Sequence, residues 1–283
     1  MISNDEPRVF GVLGDPIKQS LSPLIHNYWY KKLGLEAVSY VPLHLQSDKP
    51  VQDIEVMSRL GLTGINVTMP YKDAALQAST TLSAEASTIG AVNTLTRVND
   101  TDNSFTWHGH NTDAAGFEIA LRRLYDADLP NEALILGAGG AARAVVYVLA
   151  RIGIRVHILN RTQSKAEELA STLCASATVS GLDQLATFSN TYKLIVNTVG
   201  SGHSGGTIDL GHAPEGGLFF DISYGKAAQN TLEQATIKGW KTEDGLMMLV
   251  AQAAEAFKLW FDQMPDIESA YALCRTRVDG AEL

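Results

Sequence analysis

The amino-acid sequence predicts an α/β fold with two domains. Strand-like and helix-like segments alternate along almost the entire chain, which is typical of parallel sheets with helices on both faces. The length of 283 residues is sufficient for two domains of about 100–200 residues each. A short apolar strand followed by a glycine-rich turn starts a second block of elements, and this combination predicts a Rossmann-type dinucleotide-binding domain.

The first block of elements is predicted from apolar runs and from the Gly, Pro and polar residues that separate them. Gly61 and Pro70 end a helix and a strand, and the polar residues 99–103 separate two segments that have the character of a strand pair. The predicted strands cover residues 9–14, 39–45, 64–69, 91–97 and 105–110. The predicted helices cover residues 23–33, 51–60 and 113–124.

The strands of the second block are short and almost wholly apolar, as expected for strands that are buried on both faces. They are predicted at residues 133–136, 155–159, 194–198 and 218–222. Helices are predicted at residues 141–152 and 164–173, and two further helices, 246–261 and 267–275, close the chain.

The composition is that of a globular protein and argues against several function classes. The formal net charge is −9, and an acidic chain lacks the basic surface that nucleic acid or an anionic membrane requires. Cys174 and Cys274 are far apart and belong to no CxxC motif, so neither a metal site nor a disulfide is expected. Residues 1–7 lack the basic and apolar regions of a secretory signal, and no apolar run has the length of a membrane span. We therefore expect a cytoplasmic protein.

The glycine-rich turn after residues 133–136 matches a dinucleotide fingerprint. Gly137 can form the tight turn, Gly139 lets the backbone approach a pyrophosphate, and Ala142 permits close packing of the helix on the sheet. The helix that follows presents its N–H groups and the positive end of its dipole to the phosphates. A turn that binds nothing is the alternative, but the strand before it and the helix after it favour a cofactor site. The predicted cofactor-binding residues of this turn are Gly137, Ala138, Gly139, Gly140 and Ala141.

The position that recognises the ribose lies at the end of the next strand, about 20 residues further along the chain. An NAD-dependent enzyme usually carries Asp or Glu there, whereas this chain has Asn160-Arg161-Thr162, with Lys165 one turn later. A carboxylate would repel a 2′-phosphate, while Arg161 can form charge-assisted hydrogen bonds with it. The sequence therefore predicts NADP rather than NAD. The alternative is that Arg161 and Lys165 are merely solvated cations.

Polar motifs stand between the predicted elements of the first block, at residues 20–23, 66–72 and 110–113. Each has an ordinary structural interpretation. Ser22 before Pro23 fits a helix N-cap with Pro at the first helical position, although the two serines at a helix N-terminus equally fit a bound carboxylate. Lys72 fits a surface lysine. Asp113 or Thr112 fits a cap of the helix that follows.

Taken together and in order, these motifs resemble those of the shikimate dehydrogenase (shikimate/quinate dehydrogenase) family along nearly the whole chain. Several of them are specific in combination and at their spacing. The matching stretches are Ser20-Leu21-Ser22-Pro23, Asn66-Val67-Thr68-Met69-Pro70-Tyr71-Lys72, Gly90-Ala91-Val92-Asn93-Thr94, Asn111-Thr112-Asp113, Gly137-Ala138-Gly139-Gly140-Ala141, Asn160-Arg161-Thr162, Asp244-Gly245-Leu246 and Val250-Ala251-Gln252-Ala253.

The resemblance implies a role for each motif. Lys72, paired with Asp113, is implied as the acid/base of the reaction. Ser20 and Ser22, together with Tyr224, are implied to hold the substrate carboxylate. The remaining residues with an implied role are Thr68, Asn93, Asp113 and Gln252 for the ring hydroxyls, and Gly245 for the cofactor.

The resemblance also implies how the chain is organised and what it catalyses. Residues 1–115 are implied to form a substrate-binding domain with residues 246–283 packed back on it, and residues 116–245 an NADP-binding domain. The implied reaction is the reversible NADP-dependent reduction of 3-dehydroshikimate to shikimate by hydride transfer, a step of the shikimate pathway that leads to aromatic amino acids. The implied partners are small molecules only, and both a monomer and a homodimer are open.

The sequence departs from the common family pattern in three places and leaves alternative functions open. One departure is His110, whose family counterpart is often Asp, although the adjacent Asn-Thr-Asp is intact. Residues 197–202 stand where the family more often has Asn-Ala-Thr and a small residue, and Met247 stands where a smaller residue is common. One alternative is an enzyme of the same family that prefers quinate or an amino-substituted shikimate; the two serines favour shikimate by analogy. Another is a non-catalytic NADP-binding regulator, against which the presence of both Lys72 and Asp113 argues.

Overall fold

The computed structural model describes residues 7–99, 104–125, 129–200 and 208–280. The chain divides into two compact units, Met1–Gly116 with Val250–Cys274 and Phe117–Leu249 with Arg275–Leu283. Within the described residues, each unit contains a six-stranded sheet with helices packed on it. The predicted α/β class with two sheets is therefore confirmed.

The first unit is built on a mixed sheet. Its strands are β1 (Arg8–Gly14), β2 (Val38–His44), β3 (Leu62–Val67), β4 (Thr81–Leu82), β5 (Thr94–Asn99) and β6 (Phe105–His110), in the order β2-β1-β3-β5-β6-β4. The parallel pairing that βα alternation favours does not extend to β5, which pairs antiparallel with both β3 and β6. The predicted strand pair is the antiparallel β5–β6 pair, and the tip of the predicted turn at residues 100–103 lies outside the described residues.

The helices of the first unit begin and end where the local sequence provides the signals. They are α1 (Ser22–Lys32), α2 (Pro50–Met57), α3 (Lys72–Ala78), α4 (Ala84–Ile89) and the start of α5 (Asp113–Leu124). In α4, for example, the Ser83 side chain accepts a hydrogen bond from the Ala86 N–H, and Gly90 ends the helix with a φ of 69°. Such a left-handed residue is the usual helix C-terminus and favours glycine.

The second unit is built on a wholly parallel sheet. Its strands are β7 (Glu132–Leu136), β8 (Arg155–Asn160), β9 (Thr178–Gly181), β10 (Leu194–Asn197), β11 (Leu218–Asp221) and β12 (Lys241–Glu243), in the order β12-β11-β10-β7-β8-β9. The chain enters at β7 and builds outward on both sides. The strand order therefore reverses between β7 and β10, and such a switch point is where open α/β sheets bind ligands, at the carboxyl ends of the strands.

The helices that connect the strands of the second unit are α6 (Gly140–Arg151), α7 (Gln163–Leu173), the short α8 (Leu185–Ser189), which follows a 3₁₀ turn at Leu182–Gln184, and α9 (Lys226–Ile237). Strand β7 is buried almost throughout, and α6 buries Val145, Val146, Val148 and Leu149. This fully apolar pattern is what a central parallel strand and its covering helix require.

The two C-terminal helices, α10 (Leu246–Phe261) and α11 (Ile267–Val278), lie largely within the first unit. Trp260 packs on Phe10 of β1, with ring centroids 4.7 Å apart. Gly64 of β3 makes room for this contact, because a Cβ there would lie 2.5 Å from the Trp260 indole nitrogen. The predicted return of the C-terminal helices to the first domain is thus confirmed.

The predicted elements match the observed ones to within a few residues, and α5 and α10 have the predicted bounds. The sequence pattern missed the shorter elements α3, α4, α8, β4, β9 and β12, and also α9. These segments are either too short to show periodicity or have too few apolar residues to show it. Among the described residues, no helix combines the length and the apolar character needed to cross a membrane.

His26 of α1 is a fully buried histidine in the aromatic core of the first unit. Its ring stacks on Tyr40, with centroids 4.2 Å apart, and neither ring nitrogen has a hydrogen-bond partner among the described residues. Burial lowers the pKa of His26 from 6.5 to about 3. The folded protein therefore keeps this ring neutral at a pH where the unfolded chain already binds a proton.

We expect the stability of the protein to fall as the pH drops from 6.5 toward 3, because the unfolded state binds more protons in this range. When the pH is lowered from 7 to 5, His26 alone should decrease the unfolding free energy by about 2 kcal/mol. The measurement is chemical denaturation of the wild type and of His26→Phe at both pH values. The other histidines contribute equally to both proteins. An equal decrease in unfolding free energy in the wild type and in His26→Phe would therefore contradict the assignment of this pH dependence to His26.

Candidate active site and dinucleotide site

Lys72 and Asp113 form an ion pair in the first unit. Lys72 opens α3, and Asp113 opens α5. The Nζ of Lys72 donates a hydrogen bond to the Oδ2 of Asp113. The two side chains are 17% and 10% exposed, so the pair is shielded from bulk water yet open to a small molecule. A pair of this kind can exchange a proton with the oxygen of a bound ligand.

Asn93 forms a hydrogen bond with the other oxygen of the Asp113 carboxylate. Its Nδ2 donates to the Oδ1 of Asp113 at 2.9 Å, and its Oδ1 accepts from the backbone N–H of Thr112 at 2.7 Å. Since a backbone N–H can only donate and a carboxylate can only accept, the two contacts fix which way the Asn93 amide faces. Both oxygens of Asp113 are therefore hydrogen-bonded.

Gln252 of α10 extends the same cluster. Its Oε1 accepts from the Asn93 Nδ2 and from the Thr112 hydroxyl, each at 3.3 Å. The structure thus brings together four of the predicted site residues: Lys72, Asn93, Asp113 and Gln252.

The N-cap interpretation of Ser22 is wrong. Leu21 occupies the N-cap position of α1, because its carbonyl accepts the first helical hydrogen bond, from the Ile25 N–H at 3.0 Å. Ser22 is instead the first helical residue and is only 3% exposed. The Ser20 hydroxyl accepts from the Ser22 N–H at 3.3 Å, so the two predicted carboxylate ligands are neighbours.

Thr68 lies just after β3, and the backbone places it beside the end of β1. Its N–H donates to the Leu13 carbonyl at 2.8 Å. A Cβ on Gly14 would lie 2.5 Å from the Thr68 methyl carbon, so Gly14 permits this close packing. Thr68 therefore has a fixed backbone position at the end of the strand that leads to Lys72.

Tyr224 belongs to the second unit, where Asp221 shapes the turn beyond β11. The carboxylate of Asp221 accepts from the Ser223 N–H and from the Asn197 side chain, both at 2.8 Å. Burial raises the pKa of Asp221, and these two hydrogen bonds oppose the shift. Because Tyr224 and the two serines belong to different units, their shared role stays a prediction.

The sequence motifs indicated no functional role for several buried polar residues that support this cluster. They are Tyr40, Asn66, Thr94 and Thr112, and hydrogen bonds of 2.7–3.1 Å connect them. The available signal was Asn66, which stands between Ile65 and Val67 in β3, and Thr94, which precedes Leu95 in β5. A polar side chain at a buried strand position needs a partner, and the register places these two opposite each other.

His108 and His110 are two residues apart on β6 and share a strand face. Their ring centroids are 4.5 Å apart. Burial, and to a smaller extent the charge on His108, lower the pKa of His110 to about 4. His110 is therefore neutral at physiological pH, and its backbone carbonyl accepts from the Asn93 N–H at 3.1 Å.

In the second unit, the predicted fingerprint forms the turn between β7 and α6. Gly137 has a φ of +106°, and a Cβ there would lie 2.5 Å from the Thr198 hydroxyl. Gly139 is the N-cap residue of α6, and a Cβ on it would meet no atom within 4 Å in the part of the chain that the structure describes. Gly137 therefore serves the fold, whereas Gly139 leaves open space at the helix N-terminus, where a phosphate binds favourably.

The predicted ribose-recognition segment follows the neighbouring strand. Asn160 ends β8, its side chain donates to the Thr162 carbonyl at 2.8 Å, and Lys165 is an exposed residue in the first turn of α7. Arg161 lines a cavity of about 470 Å³ at the carboxyl ends of the strands. The other residues lining this cavity are Leu136, Leu182, Asp183, Leu185, Asn197, Val199, Ile208 and Asp209.

Gly245, the remaining predicted cofactor residue, is required by close backbone packing. A Cβ on Gly245 would lie 1.9 Å from the Ile222 carbonyl oxygen, and the Gly245 N–H donates to the Ser223 carbonyl at 2.8 Å. Asp244 beside it accepts two hydrogen bonds from Arg275, at 2.7 and 3.0 Å. The segment that leads into α10 is therefore tightly held against the turn beyond β11.

These features define a class of protein. The second unit has a parallel sheet with a phosphate-binding type of turn at its switch point, and the first unit carries a shielded Lys–Asp pair. This combination is typical of a dinucleotide-dependent enzyme. The chain matches the family models of the shikimate dehydrogenase substrate binding domain over residues 12–95, of shikimate/quinate 5-dehydrogenase over 118–231, and of the shikimate 5′-dehydrogenase C-terminal domain over 245–275. The chain belongs to the shikimate dehydrogenase family.

Relatives agree with the family models over nearly the full length of the chain. Shikimate dehydrogenase (NADP(+)) of Hyphomonas neptunium is 43% identical over 272 residues, which cover 96% of this chain and 98% of that protein. The Aquifex aeolicus shikimate dehydrogenase structure has a TM-score of 0.82 at 31% identity, covering 97% and 100% of the two chains. The Thermus thermophilus enzyme, solved with NADP(H) and shikimate, has a TM-score of 0.80 at 34% identity, covering 95% and 98%.

The two glycines of the dinucleotide turn should respond differently to substitution by alanine. Gly137→Ala should lower the unfolding free energy by about 1–3 kcal/mol, because it combines a left-handed φ with a steric clash. Gly139→Ala should change it by less than about 1 kcal/mol yet weaken NADP binding by about tenfold or more, since the methyl group would occupy the phosphate approach. Denaturation curves and calorimetric titration with NADP measure both effects. Unchanged NADP affinity in Gly139→Ala would place the phosphates elsewhere.

Proposed function

We propose that this chain catalyses the reversible NADP-dependent reduction of 3-dehydroshikimate to shikimate. The observation that carries the proposal is the Lys72–Asp113 pair, oriented by Asn93 and shielded from bulk water. The name and complexes of its relatives point to the same substrate and cofactor. The chain is an oxidoreductase that acts on a CH–OH group and serves the shikimate pathway of aromatic amino acid biosynthesis.

Lys72 and Asp113 provide the proton transfer that accompanies hydride transfer. NADPH supplies the hydride to the substrate carbon when it is bound. The Lys72 ammonium donates a proton to the developing alkoxide of the substrate, and in the oxidation direction the lysine nitrogen accepts that proton. Asp113 directs the ammonium and balances its charge, and Asn93 keeps the carboxylate in place.

The remaining predicted residues bind and orient the substrate. The hydroxyls of Ser20 and Ser22, near the start of α1, hold the carboxylate, together with Tyr224. The side chains of Thr68, Asn93 and Gln252, with Asp113, hold the ring hydroxyls. These contacts place the substrate oxygen next to Lys72, and such positioning contributes to the rate in its own right.

The second unit binds NADP. The phosphates lie at the turn that contains Gly137, Ala138, Gly139, Gly140 and Ala141, and the open space at Gly139 supports this placement. Asn160, Arg161, Thr162 and Lys165 hold the adenosine ribose and its 2′-phosphate, and Gly245 completes the cofactor site. Arg161 already lines a cavity of about 470 Å³ next to this turn, and its guanidinium matches the geometry of a phosphate.

Substrate binding and NADP binding are assigned to the two predicted domains. Residues 1–115, with 246–283, bind the substrate, and residues 116–245 bind NADP. We propose a cytoplasmic enzyme that acts as a monomer or a homodimer.

A steady-state assay of the wild type tests the proposed function. The enzyme is offered shikimate or quinate, each with NADP or NAD, and reduced cofactor is followed by absorbance. We expect the highest kcat/KM for shikimate with NADP. Higher kcat/KM for quinate would select the sister activity, and no turnover despite NADP binding would indicate the non-catalytic regulator.

Arg161→Asp should weaken NADP binding by about 1.5–3 kcal/mol, the contribution of a hydrogen bond to a charged group. NAD lacks the 2′-phosphate and should lose much less. Lys241→Asp is a matched control, because Lys241 is an exposed cation at the amino end of β12, away from the carboxyl ends of the strands. Calorimetric titrations with NADP and NAD measure the difference. A wild type that prefers NAD, or equal losses for both cofactors, would refute the role of Arg161.

A further inference from the structure

We propose that Thr94 is a positioning residue for the Lys72–Asp113 pair. It is the central link of a buried chain of hydrogen bonds whose donors all point toward the Asp113 carboxylate. The inference rests on the proposed function and adds to it a residue that need not touch the substrate.

The chain begins at Tyr40 on β2. The Tyr40 hydroxyl donates to the Oδ1 of Asn66 at 2.7 Å. Burial raises the pKa of Tyr40 well above its ordinary value, so this hydroxyl stays protonated and remains a donor. The Nδ2 of Asn66 then donates to the Thr94 hydroxyl oxygen at 2.9 Å. The Asn66 amide therefore accepts a hydrogen bond through its oxygen and donates one through its nitrogen.

Thr94 continues the chain in the same direction. Its side chain is fully buried, and its oxygen already accepts from Asn66. Its single proton is therefore directed to the Oδ1 of Asn93 at 3.0 Å, with the Thr112 hydroxyl nearby at 3.1 Å. The Nδ2 of Asn93 donates to Asp113. Each bond in such a chain polarises the next, which strengthens the last donor toward the carboxylate.

The contribution of Thr94 is to the orientation of the Asn93 amide. If this amide rotated by half a turn, its oxygen would face the Asp113 carboxylate, and the two acceptors would repel each other. The Thr112 N–H and the Thr94 hydroxyl both donate to the Asn93 oxygen and so oppose that rotation. Loss of Thr94 removes one of these donors and also leaves the Asn66 amide without its acceptor.

Thr96 provides a matched control in the same strand. It lies two residues from Thr94 on β5, so both side chains face the same side of the sheet. The Thr96 hydroxyl is also buried, but it has no hydrogen-bond partner among the described residues. Replacement of either threonine by valine is the same chemical change in the same strand, and only one of the two interrupts the chain.

The experiment compares Thr94→Val, Thr94→Ser and Thr96→Val with the wild type. For Thr94→Val we expect kcat/KM for shikimate to fall by about tenfold, mainly through kcat, because a buried hydrogen bond is lost and its partner is left unsatisfied. The KM for NADP should stay within about twofold. Thr94→Ser, which keeps the hydroxyl, should restore most of the activity, and Thr96→Val should stay within about twofold of the wild type.

A second readout does not depend on turnover. Hydrogen exchange of the Thr112 backbone amide, followed by NMR, reports on its hydrogen bond to Asn93. We expect faster exchange in Thr94→Val, and unchanged exchange in Thr94→Ser and Thr96→Val. Thr94→Ala replaces Thr94→Val in both measurements if the valine variant does not fold.

Three results would overturn the proposal. Thr94→Val could retain wild-type kcat/KM and Thr112 exchange, Thr96→Val could lose as much as Thr94→Val, or Thr94→Ser could fail to restore activity. The second result would point to a general effect on the core, and the third to packing of the threonine methyl group. A wild type without shikimate turnover would refute the proposed function instead, and Thr112 exchange would then still decide whether Thr94 holds Asn93.

Discussion

The arrangement of the candidate active site depends on one constraint, the satisfaction of a shielded ion pair. A carboxylate and an ammonium that leave water lose hydration and are tolerated only when they are paired and hydrogen-bonded. Lys72 neutralises one oxygen of Asp113, and the Asn93 amide donates to the other. The segments that carry these residues must therefore meet, which explains why α3, α5, α10 and the residue before β5 all contribute polar side chains at one place. The same pairing fixes the direction of the ammonium, as proton transfer to a substrate oxygen requires.

In the second unit the corresponding constraint is close approach of backbone segments. Gly137 and Gly245 lie where a Cβ would meet the Thr198 hydroxyl or the Ile222 carbonyl, so these positions serve the packing of the protein itself. Gly139 differs, because no atom of the described residues fills the space that its missing Cβ leaves. A position kept open at a helix N-terminus, beside the sheet's switch point, is explained by a ligand that approaches there.

The extent to which the sequence predicted this structure depends on how local each signal is. The dinucleotide turn, the Asn160-Arg161-Thr162 segment and the bounds of α5 depend on short spacings along the chain, and all were predicted. The partnership of Asn66 and Thr94 depends on the antiparallel register of β3 and β5, which no local pattern contains, because alternation of βα segments predicted parallel strands. The N-cap assignment of Ser22 failed by one residue, since Ser and Pro at a helix start fit either position. The motifs thus predicted which residue types meet at the site, whereas the supporting network depends on tertiary strand pairing.

The most direct test of the central claim, that Lys72 and Asp113 act as one unit in proton transfer, is a double-mutant cycle measured as kcat and KM for shikimate. The account predicts that Lys72→Ala and Asp113→Ala each lower kcat by about 10²–10⁴-fold with NADP affinity nearly unchanged. The double variant should lose much less than the product of the two single losses, because residues that act together are non-additive. Multiplicative losses would contradict the account, as would a Lys72→Ala variant that raises KM while its kcat at saturating shikimate stays near the wild-type value.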